Sequence, residues 1–257
     1  METTRPVDHN CFECSEAISE HHRYCPHCGT YQGAQAVSIN VFNNAALRQV
    51  FLFYFIYLFI CLLVKHTNYF NSYSALVWIE FLLAAVTLGF AWQNRAQIIP
   101  LLSFKHFNFS IFVAVIAIAA GASFLVSLSV REVNITFFGS EVSYYNAFKP
   151  YYFPVVLMVW SIAVLPALME ELAFRGVMYN HCATFLDERL VVAVTAFLFA
   201  IMHLSLISLV WLIPFGFFIG NLRRRYNTLW YGVTFHFVFN LMACLIDLYR
   251  EGQLFTF

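Results

Sequence analysis

The 257-residue chain is 61% hydrophobic and only 11% charged, with a mean hydropathy of +0.70. Those values exclude an ordinary soluble enzyme and indicate an integral membrane protein with several spans. Lysine plus arginine and aspartate plus glutamate number 14 each, so no basic field exists to attract a nucleic-acid backbone, and nucleic acid is excluded as a partner.

The first forty residues are polar and have no basic start followed by an apolar run, so no signal peptide is expected, and residues 1–36 are expected to form a separate unit and linker in the cytoplasm. Four of the seven cysteines form Cys11-x-x-Cys14 and Cys25-x-x-Cys28. Each pair sets two thiolates on one tight knuckle, and a hairpin in the intervening segment brings the second knuckle opposite the first. Four sulfurs around one ion favour a single structural zinc. Gly29, after the last cysteine, tolerates the backbone angles such a turn needs. A pair of redox dithiols is the competing reading, and His21, His22 and His27 are expected in solvent. A unit this small hardly folds without its ion. The pattern resembles a short zinc ribbon of the kind often fused to bacterial membrane proteins, which more often organises a protein partner than performs chemistry. Cys61, Cys182 and Cys244 stand singly in apolar segments and read as small hydrophobes.

Downstream, the apolar runs predict helices, which satisfy every backbone polar group inside hydrocarbon. Residues 45–64, 75–92 and 109–130 form three spans, each about 20 residues long and able to cross a ~30 Å core. A fourth, long and tilted, runs from 151 to 185 with bends at Pro154 and Pro166. Residues 190–222 are too many for one crossing, so spans five and six divide near 204–208, and span seven covers 229–248. The expected fold is all-α: a transmembrane helical bundle of about seven spans, or eight if a re-entrant piece or an amphipathic helix at 43–49 intervenes. Residues 37–150 supply its first helices and 151–257 a functional core. Arg48, Arg95, Lys105, Arg189, Arg223, Arg224 and Arg225 then share the amino-terminal side, against Lys65, Arg131, Lys149 and Arg250 opposite, which orients that side inward.

Three polar signatures interrupt the last apolar segments: Glu170-Glu171-x-x-x-Arg175, Phe199-x-x-x-His203 and His236-x-x-x-Asn240. Ionisable groups in hydrocarbon are costly and mark functional sites. Glu170 and Glu171 point about 100° apart on a helix and need different partners. Glu171 precedes Arg175 by one turn, the favourable order for an ion pair, which leaves Glu170 free. A hairpin turning near Asp187 and Glu188 brings Glu170 and His203 to similar depth, where carboxylate and imidazole can hold and polarise a water for attack on a carbonyl. Phe199, one turn away, would shield that water. His236 and Asn240 share a helix face and can donate to a developing oxyanion. Gly216 and Gly220 offer a smooth face for a neighbouring helix. Glu80 in span two is structural, substrate-related or interfacial. A helix-locking ion network is the bland reading of the glutamates and arginine. A metal held by Glu170, His203 and His236 is chemically possible, although no His-Glu-x-x-His pair occurs. A Gly-x-Ser-Gly turn is missing too, and Asp247 is the single aspartate in a membrane segment, which disfavours serine and aspartyl mechanisms.

On these motifs, residues 151–248 resemble the CAAX prenyl protease and bacteriocin-processing family, also called Abi, of intramembrane endopeptidases. The resemblance implies a glutamic protease in which Glu170 and His203 activate water, His236 and Asn240 hold the oxyanion, and Glu171 and Arg175 support the site. No cofactor is then expected for catalysis. The implied partners are the lipid bilayer and a membrane peptide or membrane-associated protein as substrate, with or without a prenyl group. The implied location is a bacterial inner membrane. A catalytically silent binding or bacteriocin-immunity protein using the same cavity is the alternative, and a transporter a weaker one for want of a repeated bundle.

Overall fold

The computed structural model describes residues 8–19, 24–31, 41–67, 73–105, 107–139 and 143–254, which fall in two compact units, Met1–Asn43 and Asn44–Phe257. In the first, β1 (Asp8–Asn10) pairs antiparallel with β2 (Ala17–Ser19), in the register Asp8 to Ser19, His9 to Ile18 and Asn10 to Ala17. Tyr24 and Tyr31 form an isolated antiparallel bridge around the second knuckle. Ile18 is buried with Cys11 and Cys25 in a core of its own. His21 and His22 lie outside the described residues.

In the second unit, helices start where the chain supplies caps, as side-chain oxygens satisfy the orphan N–H groups of a first turn. Asn44 accepts from the Leu47 N–H (2.9 Å) and opens α1 (Ala45–His66). After α2 (Tyr73–Gln93) and a short helical elbow at residues 95–102, Asn108 caps α3 (Phe109–Phe138), which Gly139 closes at φ +63°. Ser143 caps the short α4 (Tyr144–Phe148). Pro154, at a position that needs no N–H, opens α5 (Pro154–Cys182). Asp187 accepts from the N–H groups of Arg189 and Leu190 to open α6 (Glu188–Met202). Then come α7 (Leu209–Tyr226), ended by Asn227 at φ +48°, and α8 (Trp230–Arg250).

All seven expected apolar segments are helical. Among the described residues, α1, α2, α3, α5 and α8 are five helices long and apolar enough to cross a membrane. Helix α6 has 15 residues, about 22 Å of rise against a ~30 Å core, and α7 ends in Arg223, Arg224 and Arg225. These two pack as an antiparallel hairpin: a Cβ on Gly216 would lie 3.0 Å from the Ala196 backbone, and one on Gly220 3.0 Å from Val192. The break between them, residues 203–208, falls where the over-long apolar run had to divide.

Helices α3 and α8 run parallel, tied by Tyr231 to Asn108 at their starts and by the Ser123 hydroxyl donating to the Phe239 carbonyl (2.6 Å) further along. The elbow holds the start of α8, since Trp230 Nε1 donates to the Leu102 carbonyl at 2.8 Å. The central α5 carries several fully buried residues, Met158, Ala163, Glu171, Ala173 and Val177 among them at 0% exposure. Outward side chains stay apolar, as in Phe59, Trp78 and Leu125, a surface that suits lipid.

Candidate active site

Helix α5 is not uniform. Two π-helical stretches, Trp160–Val164 and Leu172–Met178, flank the α-helical turn that carries both glutamates. Pro166 has no N–H to return to Ile162, four residues back, and Asn240 of α8 substitutes for it, its Nδ2 donating to the Ile162 carbonyl at 2.8 Å. In the second stretch the Arg175 carbonyl accepts from Nε of the buried Arg223 at 3.1 Å. Arg223 also donates to Asn180 (2.9 Å) and Asn227 (2.6 Å), so within the arginine triplet this residue fastens helices together. Local π turns re-aim side chains and recur at functional sites.

Glu171 and Arg175 are fully buried, and their ion pair is direct: guanidinium to Oε1, 3.0 Å. The same Oε1 is 3.0 Å from Nδ1 of His236. A carboxylate paired with arginine accepts, so His236 donates from Nδ1 and its Nε2 is left facing outward. The second guanidinium nitrogen donates to the Gly216 carbonyl (3.3 Å), within reach because Gly216 lets α7 come close. The cationic carbon stands 4.5 Å from the centroid of the Phe199 ring, a favourable cation–π distance.

Glu170 turns the other way. Its side chain is 26% exposed, Oε2 lies 3.9 Å from His236 Nε2, and that oxygen has no hydrogen-bond partner among the described residues. Glu170 lines a cavity of about 680 Å³ whose walls also include His203, His236 and Asn240. Nδ1 of His203 lies 3.0 Å from the Phe199 carbonyl; a carbonyl only accepts, so Nδ1 carries a proton, and in the neutral ring Nε2 has the lone pair. Along α8 the wall continues through Ala243, Asp247 and Arg250.

The structure therefore gathers the four expected site residues at one cavity and sets Glu171 and Arg175 behind its wall. Three details differ from the sequence expectation. His236 touches both glutamates, so they do not have separate partners. Asn240 commits one amide hydrogen to Ile162. Phe199 is buried at 1% exposure and packs against Arg175, His203 and His236 instead of roofing the cavity. Glu80 hydrogen-bonds with Ser161 in the first π stretch, which makes it a partner of α5.

Gly232 was missed, although it precedes His236 and Asn240 at the same four-residue interval on one face of α8. A Cβ there would fall 2.8 Å from Glu171 Oε2; only hydrogen leaves room for the carboxylate. Gly232→Ala is expected to cost about 1–3 kcal/mol, read as a lower melting temperature in detergent, while alanine at the unobstructed Gly121 serves as control.

The amino-terminal cysteines form two matching knuckles. The Cys11 and Cys25 N–H groups donate to the carbonyls of Glu16 and Thr30, and their own carbonyls accept from Ser15 and Gly29. Those last two residues have φ of +61° and +76°, so the turn needs a left-handed residue in both copies and glycine supplies it in one. The four sulfurs lie within 4.8 Å of one another, with Cys11–Cys28 and Cys14–Cys25 at 3.6 Å. Four thiolates about 2.3 Å from a common ion would stand about 3.8 Å apart, so the cluster can hold a metal ion. Hydrogen bonding to Thr30, through its hydroxyl first and its backbone second, draws the Cys28 thiol down to about 6, which makes one sulfur a ready ligand at neutral pH. Among the described residues these cysteines are the group of His, Cys, Asp and Glu side chains close enough to share an ion.

Residues 152–242 match the family model described as type II CAAX prenyl endopeptidase Rce1-like. No curated protein and no solved structure matches the chain. The matched stretch contains Glu170, Glu171, Arg175, His203, His236 and Asn240, so the chain is similar to Rce1-like CAAX endopeptidases over residues 152–242, which carry these six side chains.

Proposed function

We propose that this protein is an intramembrane endopeptidase of the glutamic type, within the wider CAAX protease and Abi group. The observation that carries the reading is the meeting of Glu170, His203, His236 and Asn240 at one cavity, with a Glu170 oxygen unpartnered among the described residues. A water between Glu170 and the Nε2 of His203 loses its proton to Glu170 and attacks the peptide carbonyl carbon. The oxygen gathers negative charge beside Asn240, which keeps one amide hydrogen, and beside His236, whose Nε2 donates when the ring is protonated. Glu171 contacts that ring from behind at Nδ1, and Arg175 pairs with the same Glu171 oxygen. As the carbon–nitrogen bond breaks, Glu170 returns the proton to the leaving amine.

The substrate is a membrane peptide or membrane-associated protein whose scissile bond enters the cavity. The basic-residue count supports an inward amino terminus, and we assign the chain to a bacterial inner membrane with seven membrane-inserted helices, the short α6 and α7 among them. The test is incubation of the purified protein, in lipid nanodiscs, with peptides released from bacterial membranes, followed by mass spectrometry of new termini. Fragments formed by the parent and missing with Glu170→Ala support the reading. Fragments formed equally by both remove Glu170 from catalysis and overturn the reading, and binding without cleavage by the parent replaces it with peptide capture.

The ribbon is assigned one structural zinc. Elemental analysis of reduced protein is expected to give one zinc per chain, lost in Cys11→Ser with Cys25→Ser. Zinc retained by that double variant would place an ion in the membrane site.

A further inference from the structure

His203 caps the carboxyl end of α6, directly after Met202 and still in right-handed geometry (φ −73°, ψ −8°). The chain then reverses through Leu204, which has φ +51°. Left-handed backbone at this point commonly falls to glycine, and a leucine is strained there by its Cβ. Another contact must hold the turn. Lys65, in the last turn of α1, donates from Nζ to the Leu204 carbonyl across 139 positions of sequence. The ammonium thus sits at the carboxyl end of α6, where the helix dipole favours a positive charge.

Helix α1 reaches the same end of α6 a second time, through the Tyr54 hydroxyl, which donates to the Leu198 carbonyl at 3.4 Å. Tyr54 and Lys65 are three turns apart on one face of α1. Between their contacts lies the Phe199 carbonyl that sets the His203 tautomer. The last turn of α6 is therefore gripped at both ends by a helix outside the matched stretch 152–242.

We infer that Lys65 is a positioning residue for His203: its ammonium pins the Leu204 peptide and so fixes the turn that presents the imidazole to the cavity. This rests on the reading of His203 as the water-activating group only for its effect on rate; the positional claim stands by itself. A neutral side chain of similar length leaves the left-handed leucine unsupported, and the turn relaxes.

The experiment compares the full chain with Lys65→Met and Lys65→Arg in nanodiscs, using a peptide that the parent cleaves and residue-resolved diethyl pyrocarbonate labelling of histidines. Lys65→Met is expected to lower kcat about 10- to 100-fold, with KM within about twofold. It is also expected to change the labelling rate at His203 while leaving His236, which Glu171 holds, unaltered. Lys65→Arg restores both, since a guanidinium also reaches a carbonyl. Unchanged labelling of His203 in Lys65→Met overturns the proposal whatever the rate does. Should Lys65→Met fail to fold, Lys65→Gln is read by the same two measurements. Should Glu170→Ala still cleave, the function proposed above fails, and labelling of His203 decides the role of Lys65.

Discussion

Glu170→Gln is expected to lower kcat by about 10²–10⁴-fold, the usual contribution of a positioned general base, while KM stays within a few-fold. The amide has the shape of the carboxyl group but can neither take the proton from water nor hand it to the leaving amine. Stability should hold or rise. Oε2 of Glu170 has no hydrogen-bond partner among the described residues, and the carboxylate stands beside the buried Glu171, so removing its charge relieves repulsion at a place where function and stability compete. A cleavage assay and a thermal melt on the same preparation check both halves. A Gln variant cleaving within threefold of the parent would remove Glu170 from the mechanism.

Arg175→Met is expected to destabilise the protein by about 3–5 kcal/mol, because it strands a buried carboxylate without its main counter-charge. The guanidinium joins Glu171 on α5, the Gly216 carbonyl on α7 and the Phe199 ring on α6, so three helices lose a common tie. Glu171→Leu combined with Arg175→Met removes both charges and should recover much of the melting temperature. Activity should not return with it, since His236 then lacks the partner at Nδ1 that sets its tautomer. Denaturation of the two single variants and the double variant closes a thermodynamic cycle. Equal melting temperatures across it would mean that the buried pair contributes nothing to folding.

Much of the fold is legible along the chain because hydrocarbon allows few backbone solutions. Long apolar runs become helices, and Asn44, Asn108, Asp187 and Gly139 mark their ends by cap chemistry that acts over three or four residues. The spacing of Cys11, Cys14, Cys25 and Cys28 likewise prescribes the knuckles locally. Periodicity also puts Glu171 with Arg175, and His236 with Asn240, on common faces.

Pairings between helices depend instead on axial rotation and on where neighbours approach, which spacing in one helix does not encode. Tertiary packing turned Nδ1 of His236 towards Glu171 and used Asn240 to complete the backbone that Pro166 interrupts. It needed Gly232 bare for the Glu171 carboxylate and drew Lys65 from the first helix to the turn after His203. Residue types and their order determined the membrane helices, the thiol cluster and the reactive groups available. Close packing of those helices decided which oxygen is left without a partner and which is tied up, because a buried polar atom takes whatever donor its neighbours bring within about 3 Å.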